Sequence, residues 1–118
     1  METVKLFDSE LKIMEIVWQR EPVTAKDISV IAAETTGWNK NTTYTVIKKL
    51  IDKNIINRKE PGFICTSLIK KEDVQKSETK SLIDKLYGGS KKAFFAAFVE
   101  ENLSDDEFDE LKALIEKW

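Results

Sequence analysis

Histidine is absent from this chain of 118 residues, and cysteine occurs only once, as Cys65. Without histidine no Ser-His or Cys-His catalytic pair can form, and a zinc site would have to combine one thiolate with carboxylates. One cysteine also excludes an internal disulfide framework and fits a reducing cytosol. We therefore expect no metal site, and we interpret Cys65 as a small residue of the core or wing without chemistry of its own.

Glycine and proline are scarce, with four and two residues respectively. The glycines form no Gly-rich phosphate loop of the kind that binds nucleotides. Paired acids such as Asp105 and Asp106 stand at an expected helix start, where they favour the helix dipole rather than acid–base catalysis. These absences predict a protein that is not an enzyme and that uses no cofactor.

Long hydrophobic runs are missing as well, so no segment reaches the length of about 20 residues that a membrane-spanning helix needs. The segment Met1–Phe7 is too short and too polar for a signal peptide. Apolar residues make up 42% of the chain and charged residues 34%, which is typical of a globular protein. We expect a cytoplasmic protein with no membrane insertion.

The most informative stretch runs from Gly37 to Lys59. Asn39 is a suitable helix N-cap, because its side-chain oxygen can accept an N–H of the first turn. Apolar and small residues then recur at helical spacing on one face: Thr43, Val46, Ile47, Leu50 and Ile51. The opposite face carries hydrogen-bonding and cationic side chains at the same spacing: Asn41, Tyr44, Thr45 and Lys48.

Charge is concentrated in the same stretch. Residues 38–59 contain six basic side chains and one acid, whereas the whole chain has a net charge of −2. The last 26 residues contain two basic and eight acidic side chains, so they are expected to stay away from nucleic acid. A helix with an apolar back and a cationic front suits the DNA major groove, although such a face is also the ordinary solvated side of a helix.

Two further helices and a hairpin surround this segment. Asp8 is expected to cap a first helix to about Gln19, and Thr24 and Asp27 form a capping box for a second helix that ends near Glu34. After residue 53 the pattern alternates over 55–59 and 63–67. These two runs flank Glu60-Pro61-Gly62, which favours a type II turn with positive φ at Gly62. The order predicts a winged helix-turn-helix domain over residues 1–69.

Residues 70–118 are expected to form three further helices, capped at Ser90 and Ser104, that carry too many large apolar side chains to bury alone. We interpret them as a dimerisation domain, with a monomer whose helices fold back as the alternative. The overall fold class is mainly α. The expected dimer interface consists of Leu82, Leu86, Phe94, Phe95, Phe98, Phe108, Leu111 and Ile115, and the last helix also presents Trp118.

The order of the motifs resembles the bacterial penicillinase and methicillin-resistance repressor family, whose relatives include copper-responsive repressors. The resemblance spans nearly the whole chain and rests on Glu10-x-x-Ile13-Met14-x-x-Val17-Trp18, Val23-Thr24-Ala25-Lys26-Asp27-Ile28, Gly37-Trp38, Thr42, Thr45, Lys49-Leu50, Leu82-x-x-x-Leu86-Tyr87-Gly88-Gly89, Phe98-Val99-Glu100 and Leu103-Ser104-x-x-Glu107-x-x-Glu110-Leu111.

The resemblance implies a dimeric repressor that binds palindromic operators in double-stranded DNA, at half-sites about one helical turn or slightly more apart, and that blocks transcription of resistance genes. It also implies a DNA-facing third helix, whose matching positions are Lys40, Asn41, Thr42, Tyr44, Thr45 and Lys49. By chemistry, Lys40 and Asn41 are candidates for base edges. Phosphate contacts are expected from Lys48, Lys49, Arg58 and Lys59.

Departures from the family pattern limit what can be carried over. The family commonly has Ser-Pro-Lys where this chain has Asn39-Lys40-Asn41. The operator sequence of the family is therefore not expected to apply directly to this chain. The wing between Lys59 and Phe63 is short and lacks the family's frequent Gly-Arg and tyrosines. Its contacts with DNA are therefore the least transferable part of the resemblance.

Regulation separates the subgroups of the family. Copper-type relatives use a cluster of C-terminal cysteines, which this chain lacks. Antibiotic-type relatives are inactivated by a sensor-linked protease, and the matching bond here is Ala97–Phe98, although Ala97 replaces the Asn that the family often has. Two other interpretations stay open: a winged-helix module for protein contacts without DNA binding, and a ligand-sensing repressor.

Overall fold

The computed structural model describes residues 5–117. The predictions for Trp118, and for the part of Met1–Phe7 that precedes Lys5, lie outside the described residues. The described chain contains, in order, α1 (Asp8–Arg20), β1 (Val23–Thr24), α2 (Ala25–Thr36), α3 (Lys40–Asp52), β2 (Ile56–Lys59), β3 (Ile64–Ser67), α4 (Lys71–Leu86), α5 (Lys91–Asn102) and α6 (Asp105–Glu116). The prediction of a mainly helical, winged-helix protein is confirmed.

The chain divides into two compact units between Ser77 and Glu78, within α4. The first unit contains α1 to α3, the three strands and the first half of α4. The second contains the end of α4 together with α5 and α6. The sequence pattern places the domain boundary slightly earlier, between residues 69 and 70, where α4 is about to begin.

The helix starts follow from capping side chains. Asn39 Oδ1 accepts the backbone N–H of Thr42 at 2.8 Å, and Thr24 Oγ1 accepts that of Asp27 at 3.1 Å, as predicted. The predicted N-cap of α1 was wrong by one residue, because Asp8 is already helical. The buried Glu10 side chain reaches back and accepts the N–H of Phe7 at 2.9 Å, which sets the helix start one residue earlier.

The core of the first unit lies between the three helices and the sheet. Thr43, Val46, Ile47 and Leu50 bury the predicted back face of α3, while Ile51 is half-buried. Burial of each large apolar side chain stabilises the fold by about 1.5–3 kcal/mol. The largest fully buried apolar side chains are Ile13, Met14, Val17, Ile28, Ile47, Leu50, Ile56 and Cys65.

Cys65 is part of this core, in agreement with the structural role predicted for it. Its side chain has no solvent exposure, and burial raises the pKa of the thiol to about 11. The thiol therefore stays protonated at neutral pH, and it is a poor nucleophile.

The sheet is antiparallel with the strand order β1-β3-β2. In the hairpin, Arg58 pairs with Cys65 and Lys59 pairs with Ile64. Gly62 has a φ of 98°, the positive value expected at the turn, and Phe63 follows with a φ of 53°. The strand β1 was not predicted: Val23 pairs with Cys65 and adds a third strand at the other side of β3.

Trp18 joins α1 to the end of the hairpin. Its indole N–H donates to Ser67 Oγ at 3.0 Å and to the Ile69 carbonyl at 3.2 Å. The backbone N–H of Ser67 donates to Glu21 Oε1 at 2.9 Å. These bonds hold β3 against α1, so the half-buried Trp18 acts as the structural anchor expected from the sequence.

The second unit exposes most of its large apolar side chains. Ser90 and Ser104 cap α5 and α6 as predicted, through bonds from Ala93 N and Glu107 N of 3.1 and 3.2 Å. Neither α5 nor α6 buries any residue within the chain. None of the helices within residues 5–117 combines the length and the hydrophobicity of a membrane-spanning segment.

Candidate nucleic-acid interface

The outer face of α3 is polar and cationic. The predicted contact residues on this helix are exposed, apart from the half-buried Tyr44: Lys40, Asn41, Thr42, Thr45, Lys48 and Lys49. The buried back of the same helix fixes which side faces outward. Thr45 Oγ1 donates to the Asn41 carbonyl at 2.8 Å, so that its hydroxyl can still accept a bond from a ligand.

Not every basic residue of the 38–59 stretch is available to a ligand. Lys53 Nζ lies 2.8 Å from Glu10 Oε1 and 2.7 Å from Glu10 Oε2, and it also lies 4.8 Å from the centre of the Phe7 ring. Since the Glu10 side chain is only 2% exposed, Lys53 is held as a structural partner of α1. Its charge belongs to the fold rather than to the interface.

Four lysines remain as unneutralised charges on the front of the domain. Within residues 5–117, no carboxylate lies at ion-pair distance from any of them: Lys40, Lys48, Lys49 and Lys59. Lys40 Nζ instead lies 5.6 Å from the centre of the Tyr44 ring, which places a cation beside this aromatic side chain. The arrangement supplies positive charge along α3 and on the hairpin.

The wing carries a compact cluster that we name the wing array, consisting of Tyr44, Arg58, Glu60 and Phe63. Phe63 contacts Tyr44 of α3 edge-on, with ring centres 5.8 Å apart and planes at 88°. The Arg58 guanidinium lies 3.6 Å from the centre of the Phe63 ring. The hairpin and α3 are therefore joined through the contact between Tyr44 and Phe63, which brings the predicted contacts Tyr44 and Arg58 into one cluster.

Glu60 completes the wing array. Arg58 Nε donates to Glu60 Oε1 at 2.6 Å, and the Phe63 backbone N–H donates to Glu60 Oε2 at 3.2 Å. The bond from Arg58 is the largest cause that lowers the pKa of the Glu60 carboxyl below its ordinary value, followed by the bond from Phe63. Glu60 is thus an anion at neutral pH, and its carboxylate lies beside the cationic Arg58.

Glu60 and Phe63 were predicted from the sequence only as residues of the turn and strand, not as members of the interface. A signal for Glu60 was present, because Arg58 and Glu60 are two residues apart near a strand end, where alternate side chains share a face. Phe63 carried no comparable signal. Its position depends on the turn and on its contact with Tyr44, which is far away in the chain.

The second unit carries an apolar surface, whose residues come later in the chain than those of the polar surface described above. Of the eight residues predicted for the dimer interface, six are exposed, and the other two, Phe94 and Leu111, are half-buried. Phe94 stacks on Phe98 with ring centres 6.2 Å apart, and both line an apolar groove of about 570 Å³. The predicted cleavage residues Ala97 and Phe98 lie within α5.

No cluster of three or more potential metal ligands occurs in the described part of the chain. The first unit has the architecture of a winged helix-turn-helix protein: three helices, a β-hairpin after the third helix, and a third strand from β1. The exposed, cationic α3 occupies the position of a recognition helix in this class.

Comparison with known proteins identifies the family. The sequence model described as "Penicillinase repressor" matches residues 6–117, so the chain belongs to the penicillinase repressor family. The resemblance inferred from the motifs is confirmed.

Two relatives illustrate the similarity. The methicillin resistance regulatory protein MecI of Staphylococcus aureus (strain N315) is 30% identical over 118 residues, which cover 98% of this chain and 96% of that protein. The penicillinase repressor of Bacillus licheniformis is 25% identical over 116 residues, which cover 96% of this chain and 91% of that protein. The first is named as a regulatory protein and the second as a repressor.

Solved structures share the fold. The DNA-binding domain of the repressor BlaI superposes with a TM-score of 0.56 at 24% identity, covering 61% of this chain and 90% of that domain. The monomeric form of Bacillus licheniformis BlaI, in complex with the blaP half-operator, gives a TM-score of 0.54 at 24% identity and the same coverage. MarR of Staphylococcus aureus matches 96% of this chain and 70% of its own, with a TM-score of 0.52 at 18% identity.

Proposed function

We propose that this protein is a dimeric transcriptional repressor that binds a palindromic operator in double-stranded DNA and blocks transcription of β-lactam resistance genes in the cytoplasm. The observation that carries the proposal is the exposed cationic face of α3, backed by the buried residues Thr43, Val46, Ile47 and Leu50, in a chain of the penicillinase repressor family. The relatives that are named as regulators of methicillin resistance and penicillinase support the choice of target genes.

Base recognition is assigned to the first two turns of α3. Asn41 can form a bidentate pair with adenine, and Lys40 can donate to guanine. Thr42 and Thr45 are short enough to reach a phosphate or to contact a thymine methyl group. Tyr44 is half-buried against Phe63, so its ring is held in place before DNA arrives, and it contacts a base or the sugar-phosphate backbone.

Backbone affinity is assigned to the lysines that have no carboxylate partner. Lys48 and Lys49 lie further along α3, and Lys59 lies on the hairpin. Each phosphate contact releases condensed counterions, so binding falls with salt, with a slope of about 0.9 per contact in a double-logarithmic plot. Arg58 is also assigned a phosphate contact, although its guanidinium is paired with Glu60 in the free protein.

Dimerisation is assigned to the second unit. Among the residues that the structure describes, Leu86 is 68% exposed, and Phe95 and Phe98 are 46% and 42% exposed. A symmetric second copy would bury them on both sides of a two-fold axis. Two α3 helices would then read half-sites about one helical turn, or slightly more, apart.

Relief of repression is assigned to cleavage of the Ala97–Phe98 bond by a sensor-linked protease. The bond lies in the middle of α5, so a cut separates α6 and half of α5 from the rest of the interface. The dimer would weaken, and each domain would bind its half-site without the gain from a linked second site. Incubation with protease from induced cells, followed by mass mapping, tests this: fragments ending at Ala97 are expected, and an uncut chain would contradict the proposal.

The binding experiment uses the purified protein and a duplex from upstream of its own gene. Affinity is measured as a function of salt, and light scattering on the same sample gives the mass. The Lys48/Lys49→Ala variant is compared with Lys91/Lys92→Ala, which removes the same charge from adjacent exposed lysines of α5. We expect the wild type to bind as a dimer, with an affinity that falls steeply with salt. Lys48/Lys49→Ala should lose about two phosphate contacts, and Lys91/Lys92→Ala should bind with nearly unchanged affinity.

Two outcomes would contradict the proposal. A chain that binds no duplex at low salt would favour a winged-helix module for protein contacts. Equal losses in the two lysine variants would show that net charge, rather than the face of α3, determines the affinity.

A further inference from the structure

Glu60, the anionic residue of the wing array, accepts hydrogen bonds from two donors that a DNA phosphate could also use. Glu60 accepts one bond from Arg58 Nε at 2.6 Å and one from the backbone N–H of Phe63 at 3.2 Å. A guanidinium and a backbone N–H are both common phosphate ligands in protein–DNA complexes. The two carboxylate oxygens therefore stand where two phosphate oxygens could be bound.

We propose that Arg58 and the backbone N–H of Phe63 form a phosphate subsite on the wing, and that the Glu60 carboxylate is an internal competitor for the DNA phosphate at that subsite. The inference rests on the proposed function as a DNA-binding repressor. It adds a backbone donor that the sequence did not indicate, and it assigns an acid the role of weakening the complex.

The position of Arg58 does not depend on Glu60 alone. The guanidinium also lies 3.6 Å from the centre of the Phe63 ring, and Phe63 is in turn held by Tyr44 and by a bond from Ala25 N to the Phe63 carbonyl of 3.0 Å. If Glu60 loses its charge, the aromatic ring still holds the guanidinium plane on the wing. The main consequence is therefore the removal of a negative charge from the site of phosphate binding.

Both partners of the pair are exposed to solvent, with exposed fractions of 43% for the Arg58 side chain and 55% for that of Glu60. An exposed ion pair contributes little to stability, because water solvates both charges. Exchange of the carboxylate for a phosphate is therefore not opposed by a buried, tightly held pair. By contrast, a carboxylate left beside the DNA backbone would repel it over the Debye length of about 10 Å at 0.1 M salt.

The test is the substitution Glu60→Gln in the full chain, with the operator duplex as ligand. The Gln side-chain oxygen can still accept the N–H of Phe63, so the turn keeps its local bond while the charge is removed. We expect tighter binding than the wild type, by about five- to tenfold for each wing that contacts DNA at 0.1 M salt, and a salt slope steeper by about 0.9 per wing. Glu34→Gln is the matched control, because Glu34 is exposed on α2 and its substitution changes the net charge equally.

A double-mutant cycle with Arg58→Gln separates a local effect from a general one. If Glu60 acts through Arg58, then Glu60→Gln has little effect on affinity in the Arg58→Gln background. An unchanged or weaker affinity of Glu60→Gln, an equal gain from Glu34→Gln, or a full gain without Arg58 would each overturn the inference while leaving the proposed function intact. A wild-type protein that binds no duplex would instead remove the proposed function, and this inference with it.

Discussion

Replacement of Lys53 by Met is the perturbation whose effect on stability the structure defines best. Lys53 follows the last residue of α3, and its ammonium contacts both oxygens of Glu10 near the start of α1. The Glu10 side chain is 2% exposed, and within residues 5–117 it otherwise accepts only the N–H of Phe7. In Lys53→Met the carboxylate would stay buried with one hydrogen bond and no counter-charge.

The expected cost follows from the burial of the two partners. Removal of one member of a fully buried ion pair costs about 3–5 kcal/mol, because the other charge stays desolvated. The Lys53 side chain is 39% exposed, so water reaches the pair from one side and the cost is reduced. We expect a loss of about 2 kcal/mol in the free energy of unfolding, and about half of that for Glu10→Gln, which keeps an acceptor for Phe7 N–H.

Urea unfolding followed by tryptophan fluorescence measures this loss. Trp18 and Trp38 both lie in the first unit and report on its unfolding. All variants are compared at one protein concentration, since dimerisation would make the stability depend on concentration. Lys48→Met is the matched control and is expected to stay within about 0.5 kcal/mol of the wild type. A Lys53→Met variant as stable as this control would refute the assignment of Lys53 to the fold.

Three other predictions concern the interface, the core thiol and the start of α3. Phe98→Asp places a charge on the exposed apolar surface of α5, so light scattering should report a monomer where the wild type forms a dimer; a dimeric variant would contradict the proposed interface. Cys65 should resist alkylation at pH 8 until the chain is unfolded in urea, because burial raises its pKa to about 11. Rapid labelling of the native protein would contradict the burial of this thiol. Since the unfolded thiol ionises near pH 8.5, the free energy of unfolding should also fall as the pH rises from about 9 towards 11. Asn39→Ala should cost about 1 kcal/mol of stability, because the cap of Thr42 N is lost, and a variant that unfolds at the same urea concentration as the wild type would contradict it.

Features that depend on local spacing could be predicted from the sequence. The helical recurrence from Thr43 to Leu50 indicated the buried face of α3, because residues three and four apart share one side of a helix. The caps at Thr24, Asn39 and Ser104 were predicted for the same reason, since each bonds to an N–H three residues later. The polar front of α3 follows directly once its back is identified.

Features that depend on distant contacts could not be predicted. β1 has only two residues, too few to show alternation, and it exists because Val23 pairs with Cys65. Glu10 and Lys53 are 43 residues apart in the chain. A local sequence pattern therefore shows neither that Glu10 is buried nor that Lys53 is paired with it and unavailable to DNA. The contact between Tyr44 and Phe63 likewise depends on how the hairpin packs against α3.

We propose that α3 lies in the major groove, and protection of guanine N7 from methylation tests this most directly, because N7 is exposed only in that groove. The operator duplex is methylated with and without protein, at a salt concentration where binding is complete. We predict two protected clusters for the wild type, about one helical turn or slightly more apart, that weaken for Lys48/Lys49→Ala as the occupancy of the operator falls and persist for Lys91/Lys92→Ala. Complete binding without protection of any guanine N7 would contradict the claim.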